Sequence, residues 1–282
     1  MNLPRIVETP KALRDVLAEI DPGFVPTMGA LHEGHRALIE RSARENSATV
    51  VSIFVNPTQF SNPSDLEKYP RTLERDALIA TEAGADLIYA PSVQAIYPEG
   101  FATSVTVSGL TDFWEGAARP GHFAGVTTVV AILLNSVRPA RAYFGEKDFQ
   151  QLQVVRRMHR DLRLPGEIVA CPTVREADGL ALSSRNSRLG SDERLSATAL
   201  SRALFAMRDL ANSGERAIAE LLDHGHRIIA AEPGIALDYL AIVDPSTLDQ
   251  LPEMIPGARA LIAANAGATR LIDNLALWEA ED

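Results

Sequence analysis

Apolar positions along this chain switch between a strand-like and a helix-like period, and the switching predicts its elements. Residues 5–8 read as a short strand. Thr9-Pro10 makes a cap and a first helical residue, after which Leu13, Val16, Leu17 and Ile20 share one helical face until Asp21-Pro22-Gly23 stops it. The apolar pair Phe24-Val25 leads through Pro26-Thr27-Met28-Gly29-Ala30-Leu31-His32-Glu33-Gly34-His35 into a helix that ends near residue 45. Residues 48–55 are a continuous apolar run with Val50, Val51, Ile53 and Val55, as expected of a parallel strand covered on both faces. The first 55 residues therefore predict a strand–helix–strand unit with two histidines at its strand-to-helix turn.

Beyond this unit, residues 61–71 look irregular, 72–83 read as a helix closed by Gly84, and 86–90 as a strand. Periodicity is poor from 91 to 125, which suggests a long structured loop. A buried helix is expected over 126–137, a strand over 141–144, a helix to about 162 and a strand over 167–173. From residue 191 the texture changes to two helices, 191–211 and 215–231, followed by strand-like pieces at 237–243, 259–264 and 269–275. The expected fold class is α/β, with a Rossmann-like parallel sheet covered by helices on both faces in residues 1–173 and a smaller α+β domain in 174–282.

Composition narrows the function classes. The 282 residues are 46% apolar and 23% charged, the balance of an ordinary soluble globular protein. A formal charge of −10 argues against non-specific binding to nucleic acid or an anionic membrane, so an anionic substrate needs a local basic pocket. The single cysteine, Cys171, excludes an intrachain disulfide and fits a reducing compartment. The N-terminus shows no cationic region followed by an apolar run, and the most apolar run, 126–134, is too short to span a bilayer. The chain reads as cytoplasmic, with neither nucleic acid nor membrane as a partner.

The candidate chemistry gathers at strand ends. A strand, a glycine-bearing turn and a helix N-terminus make an anion site, and the turn's N–H groups are expected to point outward. Gly29 and Gly34 allow close backbone approach, and His32 and His35 set two imidazoles beside the site. Donors aimed at an α-phosphate suit nucleotidyl transfer, where charge grows on its oxygens. The same pair also fits metal ligation or plain helix-start histidines, although no cysteine cluster or third histidine lies nearby. Gln59 follows the second predicted strand and reads either as a site residue or as an exposed loop amide. Arg119 and His122 either face the site or fix their loop. Gly145-Glu146-Lys147-Asp148 forms a second strand–glycine–helix junction, whose lysine suits β- and γ-phosphates or else belongs to a surface Lys–Asp pair. Ser183-Ser184-Arg185 adds hydroxyls and a guanidinium fork within a long polar loop, 174–186.

Six stretches together carry a family resemblance: PTMGALHEGH at 26–35, SIFVNPTQF at 52–60, YPRTLERD at 69–76, RPGHFAGV at 119–126, YFGEKDFQQ at 143–151 and VREADGLALSSRN at 174–186. In this order they resemble the pantoate–β-alanine ligase (pantothenate synthetase) family, among the nucleotidyltransferases with the HIGH signature. The resemblance implies that ATP is lined by Pro26, Thr27, Met28, Gly29, Ala30, Leu31, His32, Glu33, Gly34 and His35, with His35 as proton donor and His32 beside it on the phosphates. Gly145, Glu146, Lys147, Asp148, Val174, Leu182, Ser183, Ser184 and Arg185 would hold the rest of ATP, with Val174 at the base and Lys147, Ser184 and Arg185 at the phosphates. Gln59 and Gln151 would hold pantoate, Gln59 would border β-alanine, and Asn56 would lie on the phosphate side. Leu182 departs from the family's methionine. The implied reaction forms pantoyl adenylate and pyrophosphate from pantoate and Mg-ATP, and β-alanine then displaces AMP. Mg²⁺ would ride on the phosphates without a named protein ligand. The resemblance also implies a homodimer whose C-terminal domain closes over ATP. Two other readings are a nucleotidyltransferase that stops after the first step and a non-catalytic nucleotide-binding module.

Overall fold

The computed structural model describes residues 4–278. The chain forms two compact units, one of the residues up to Glu146 with Gln150–Pro172, the other of Lys147–Phe149 with the residues from Thr173 onward.

In chain order the first unit carries β1 (Arg5–Val7), α1 (Pro10–Val16), β2 (Gly23–Thr27), α2 (Glu33–Glu45), β3 (Thr49–Ile53), α3 (Pro63–Glu67), α4 (Leu73–Glu82) and β4 (Leu87–Tyr89). It continues through α5 (Val93–Ile96), α6 (Glu115–Ala118), α7 (His122–Val137), β5 (Arg141–Gly145), α8 (Phe149–Asp161) and β6 (Glu167–Cys171). The strands form one parallel sheet in the order β1-β4-β3-β2-β5-β6. Strand alternation sends Val25, Val51 and Ile88 to one face, where Leu31, Ile39, Ala77 and Ala80 of the α2 and α4 region cover them. Phe24, Val50 and Leu87 alternate with these on the other face and are equally buried, and α7 packs over β2. The α/β expectation therefore holds, including helices on both faces.

The sheet order has a functional consequence. From β2 the chain progresses outward through β3 to β4, then returns to the other side of β2 with β5 and β6, so β2 and β5 flank a topological switch point. β2 pairs with β3 along five residues but with β5 only at Gly23–Arg141 and Phe24–Ala142. Past Phe24 these strands no longer pair, and ligands of open α/β sheets bind in such crevices.

Several stretches differ from expectation: the first helix ends at Val16 and leaves Ile20 exposed, and the 91–125 loop carries two short helices, α5 and α6. Within 61–71 a short helix, α3, forms because Asn62 Oδ1 accepts from Ser64 N (2.9 Å) and Pro63 opens it. α7 begins at His122 rather than 126, after Gly121 turns the chain with φ +80°. Gly125 therefore lies inside this helix, where an added Cβ would stand 2.5 Å from Thr58 O. A glycine that looked like a loop signal is in fact a close approach between α7 and the Pro57–Gln59 turn.

The second unit packs α9 (Ser191–Asn212) and α10 (Ile218–Ala230) on an antiparallel sheet ordered β7 (Ile235–Val243), β8 (Arg259–Ala266), β9 (Thr269–Ala276). Leu200, Leu204, Met207, Leu221, Ile242 and Ile262 are central to its core. Residues 174–182 of the long polar loop form a tight hairpin: Arg175 bridges Ala181, Glu176 N donates to Leu180 O (2.9 Å), and Gly179 turns with φ +91°. A 3₁₀ turn, Ser184–Arg188, follows, with Ser183 Oγ accepting from Arg185 N at 3.2 Å. Among the described residues no helix is long and apolar enough to cross a membrane.

Candidate active site

The turn after β2 is built from two successive left-handed residues, Gly29 (φ +81°) and Ala30 (φ +51°). A Cβ on Gly29 would stand 2.9 Å from Asp76 Oδ2 and 3.1 Å from Ile53 Cγ2, so conformation and space both require glycine there. The amides of this turn do not point outward as expected. Gly29 N donates to Thr27 Oγ1 (3.1 Å), Ala30 N to Asp76 Oδ2 (3.0 Å) and Leu31 N to Asp76 Oδ1 (2.8 Å). The Asp76 carboxylate, 1% exposed on α4 and steadied by Thr72 Oγ1 at 3.1 Å, occupies the concavity that an external anion would otherwise take. The Ala30 and Leu31 amides converge on one carboxylate, so here the chain supplies its own anion.

His32 is the N-cap of α2, its Nδ1 accepting from Gly34 N at 3.1 Å, and His35 Nδ1 accepts in return from His32 N at 3.4 Å. This is a capping box made by imidazoles. A ring that accepts through Nδ1 carries its neutral-state proton on Nε2, so both tautomers follow from the caps. The ring centroids are 4.2 Å apart. The plain helix-start reading is thus true of the Nδ1 atoms. Among the described residues, no group of three or more His, Cys, Asp or Glu could hold a metal ion.

Gln59 is 8% exposed, not a loose loop amide. Its Oε1 accepts from Asn56 Nδ2 (3.1 Å) and its Nε2 contacts Met28 Sδ (3.0 Å), which ties it to the histidine turn. Asn56 is fixed in turn by donating to Gly125 O (3.1 Å) and by accepting from Tyr97 OH (2.8 Å). Burial holds the Tyr97 hydroxyl above the usual tyrosine range, so it remains a donor. His122 takes the loop-fixing role: Nδ1 donates to Gln59 O (2.9 Å), which makes Nε2 the acceptor for Arg119 at 3.2 Å.

At the end of β5, Gly145 and Glu146 belong to the first unit, and a 3₁₀ turn leads into α8. Gln150 pins the preceding long loop by accepting from Glu115 N (2.9 Å) and donating to Leu110 O (2.8 Å) and Phe113 O (2.9 Å). Gln151, half-buried on the next position of α8, makes no side-chain hydrogen bond to Gln59 among the described residues.

Lys147, Ser183, Arg185, Asn186 and Asp273 line one small cavity in the second unit. The Lys147 side chain is 16% exposed, and its ammonium lies 3.5 Å from Asp148 Oδ1, long for a charge-assisted bond. The Lys–Asp pair is thus present, with its lysine end mostly buried and its aspartate end half-exposed. Asp273 is matched by Arg175 in a bidentate bridge (2.6 and 2.9 Å), while the Arg185 guanidinium makes no ion pair among the described residues. Leu182 N donates to Val174 O (3.0 Å), so that amide is engaged within the hairpin. Ser184 opens the 3₁₀ turn beside Arg185. Sequence reasoning gave no role to Asp76 or Gln150. Asp76 had one visible sign, an acid in the first turn of a helix, which ordinarily signals only dipole compensation.

A histidine-capped helix thus stands at the switch point of a parallel sheet, where ligands of open α/β folds bind. The family model for pantoate–β-alanine ligase matches residues 5–276. Pantothenate synthetase from Thermus thermophilus is 56% identical over 275 residues, covering 97% of this chain and 99% of the relative. A crystal structure of the Thermus thermophilus protein superposes with a TM-score of 0.94 at 55% identity, covering 97% and 99% of the two chains. The Francisella tularensis pantoate–β-alanine ligase, solved with β,γ-ATP and β-alanine, superposes with a TM-score of 0.81 at 34% identity, covering 97% and 98%. The chain belongs to the pantoate–β-alanine ligase family.

Proposed function

We propose that the enzyme condenses (R)-pantoate with β-alanine in two steps, using Mg-ATP as the activating substrate. In the first, a pantoate carboxylate oxygen attacks the α-phosphorus and pyrophosphate leaves, giving pantoyl adenylate. In the second, the amine of β-alanine attacks the acyl carbon, AMP leaves and an amide remains. No protein nucleophile is needed, so rate comes from positioning and from donors at the developing charge. The observation that carries this reading is the pair of Nε2–H imidazoles fixed by reciprocal caps at the C-terminal end of β2.

In this reading His32 and His35 donate to the α-phosphate oxygens, and the neighbouring turn residues 26–34 shape the adenosine side. Lys147, Ser183, Ser184 and Arg185 face the β- and γ-phosphates, and Mg²⁺ arrives with those phosphates. Val174 and Leu182 border the base. Gln59, held by Asn56 and the His122 contact, orients pantoate together with Gln151 and borders β-alanine. The family further implies a homodimer, which light scattering on the purified protein would test. A buried Cys171, whose thiol is pushed up by desolvation and so stays protonated, suits the cytoplasm.

The test is isotope exchange. Label should pass between pyrophosphate and ATP when pantoate is present and β-alanine is absent. Pyrophosphate release only after the amine is added would overturn the adenylate step.

A further inference from the structure

Lys147–Phe149 lie between residues of the first unit in sequence, yet they group with the second. Two contacts from its sheet hold them. Asn274 on β9, 3% exposed, donates from Nδ2 to Lys147 O at 2.9 Å, and the Arg259 guanidinium of β8 stacks 3.9 Å over the Phe149 ring. Arg259 Nε also donates to Asn274 Oδ1 at 2.7 Å. The guanidinium can only donate and the backbone carbonyl can only accept, so this pair of neighbours sets the orientation of the amide. Among side chains of this size, only an amide satisfies both at once. The preceding residue, Asp273, takes the bidentate bridge from Arg175 that closes the hairpin leading to Ser183 and Arg185.

We propose that Asn274 is a positioning residue for ATP activation, holding the Lys147 backbone so that its ammonium meets the phosphates. This rests on the reading of Lys147 as a phosphate-binding cation. With the carbonyl anchored, the lysine's reach is set by its side chain alone. Without the anchor the backbone can shift, and a displacement of about 1 Å in a positioning group can lower a rate by about a hundredfold.

Asn274→Asp separates positioning from folding. It keeps the size and the Arg259 contact, now as an ion pair, but sets a carboxylate oxygen against the Lys147 carbonyl. The expected result is a folded protein whose melting temperature is lowered by a few degrees, pantoate-dependent pyrophosphate–ATP exchange lowered about ten- to a hundredfold, and β-alanine consumption of preformed pantoyl adenylate near wild type. The double variant Asn274→Asp/Lys147→Ala should exchange no more slowly than Lys147→Ala alone, because both changes act through one ammonium. Wild-type exchange in Asn274→Asp, or full multiplication of the two defects, overturns the proposal. If Lys147→Ala itself exchanges normally, the phosphate reading of Lys147 is what fails. Should Asn274→Asp not fold, Asn274→Ala enters the same cycle, and equal loss in both half-reactions would mark a purely structural residue.

Discussion

Replacing Asp76 by asparagine changes one atom of a buried side chain and tests how the histidine turn is held. Both carboxylate oxygens accept: Oδ1 from Leu31 N, Oδ2 from Ala30 N and Thr72 Oγ1. An amide offers one oxygen, so in either orientation one of the two backbone N–H groups faces an NH₂. Leaving a buried donor unsatisfied costs about 1–3 kcal/mol, and the remaining bond loses its charge assistance, for a total of roughly 2–4 kcal/mol. In a chain of this size that lowers the melting temperature by roughly 5–15 °C. The effect on rate follows from geometry, since Ala30 and Leu31 run directly into His32. A turn displaced by about 1 Å would lower kcat about a hundredfold. The Michaelis constant for ATP should not rise in step, because removing a negative charge near an anionic ligand favours its binding. Thermal unfolding and steady-state kinetics with varied ATP measure both. A wild-type kcat and melting temperature would refute the account of the turn. A lowered melting temperature with unchanged kcat would show that imidazole placement does not depend on Asp76.

The same geometry sets three further outcomes. His32→Asn should keep the helix cap, since asparagine caps well, and yet lose about a hundredfold or more in pyrophosphate–ATP exchange; normal exchange would mean that the imidazole only caps. Gly125→Ala drives a methyl group against Thr58 O and should cost about 1–3 kcal/mol in stability while raising the Michaelis constant for pantoate through Gln59; a silent substitution would show that α7 can yield. Burial pushes the Tyr143 hydroxyl up to about 12, with Asn46 donating to it at 2.7 Å and Glu45 accepting from it at 2.9 Å. Its raised value adds stability that is complete below the unfolded tyrosine value near 10 and lost as pH rises toward about 12, at most about 2–3 kcal/mol. Tyr143→Phe should flatten that alkaline limb of the unfolding curve, and an unchanged limb would refute the assignment.

What could be read in advance was what lies in short stretches of chain. The period change at Phe24–Arg36, the apolar run of β3 and the glycine junction after β5 located both strand ends correctly, because each signal spans fewer than about fifteen residues. The supports were invisible for the opposite reason. Asp76 reaches Ala30 across 46 residues, Asn274 reaches Lys147 across 127, and Gly125 meets Thr58 only once α7 packs. The start of α7 was missed because two glycines and a histidine hide the helical period there.

The inward-facing amides of the turn decide how an α-phosphate can be met. Local pattern correctly located a concavity of N–H groups, but it could not show that a carboxylate from α4 already fills it. With those donors engaged, the turn cannot serve the α-phosphate in the way a glycine-rich phosphate loop does. A negative charge in that place also opposes an incoming phosphate, so the attraction must come from groups beside it. His32 and His35 are the imidazoles at this helix start, and their Nδ1 contacts place each neutral ring's proton on Nε2. In the proposed reading the two histidines therefore take the place of a backbone anion site rather than adding to one. That is why the spacing matters: at three residues apart on one helix start, each ring can accept from the other's segment of backbone, and neither tautomer is left open.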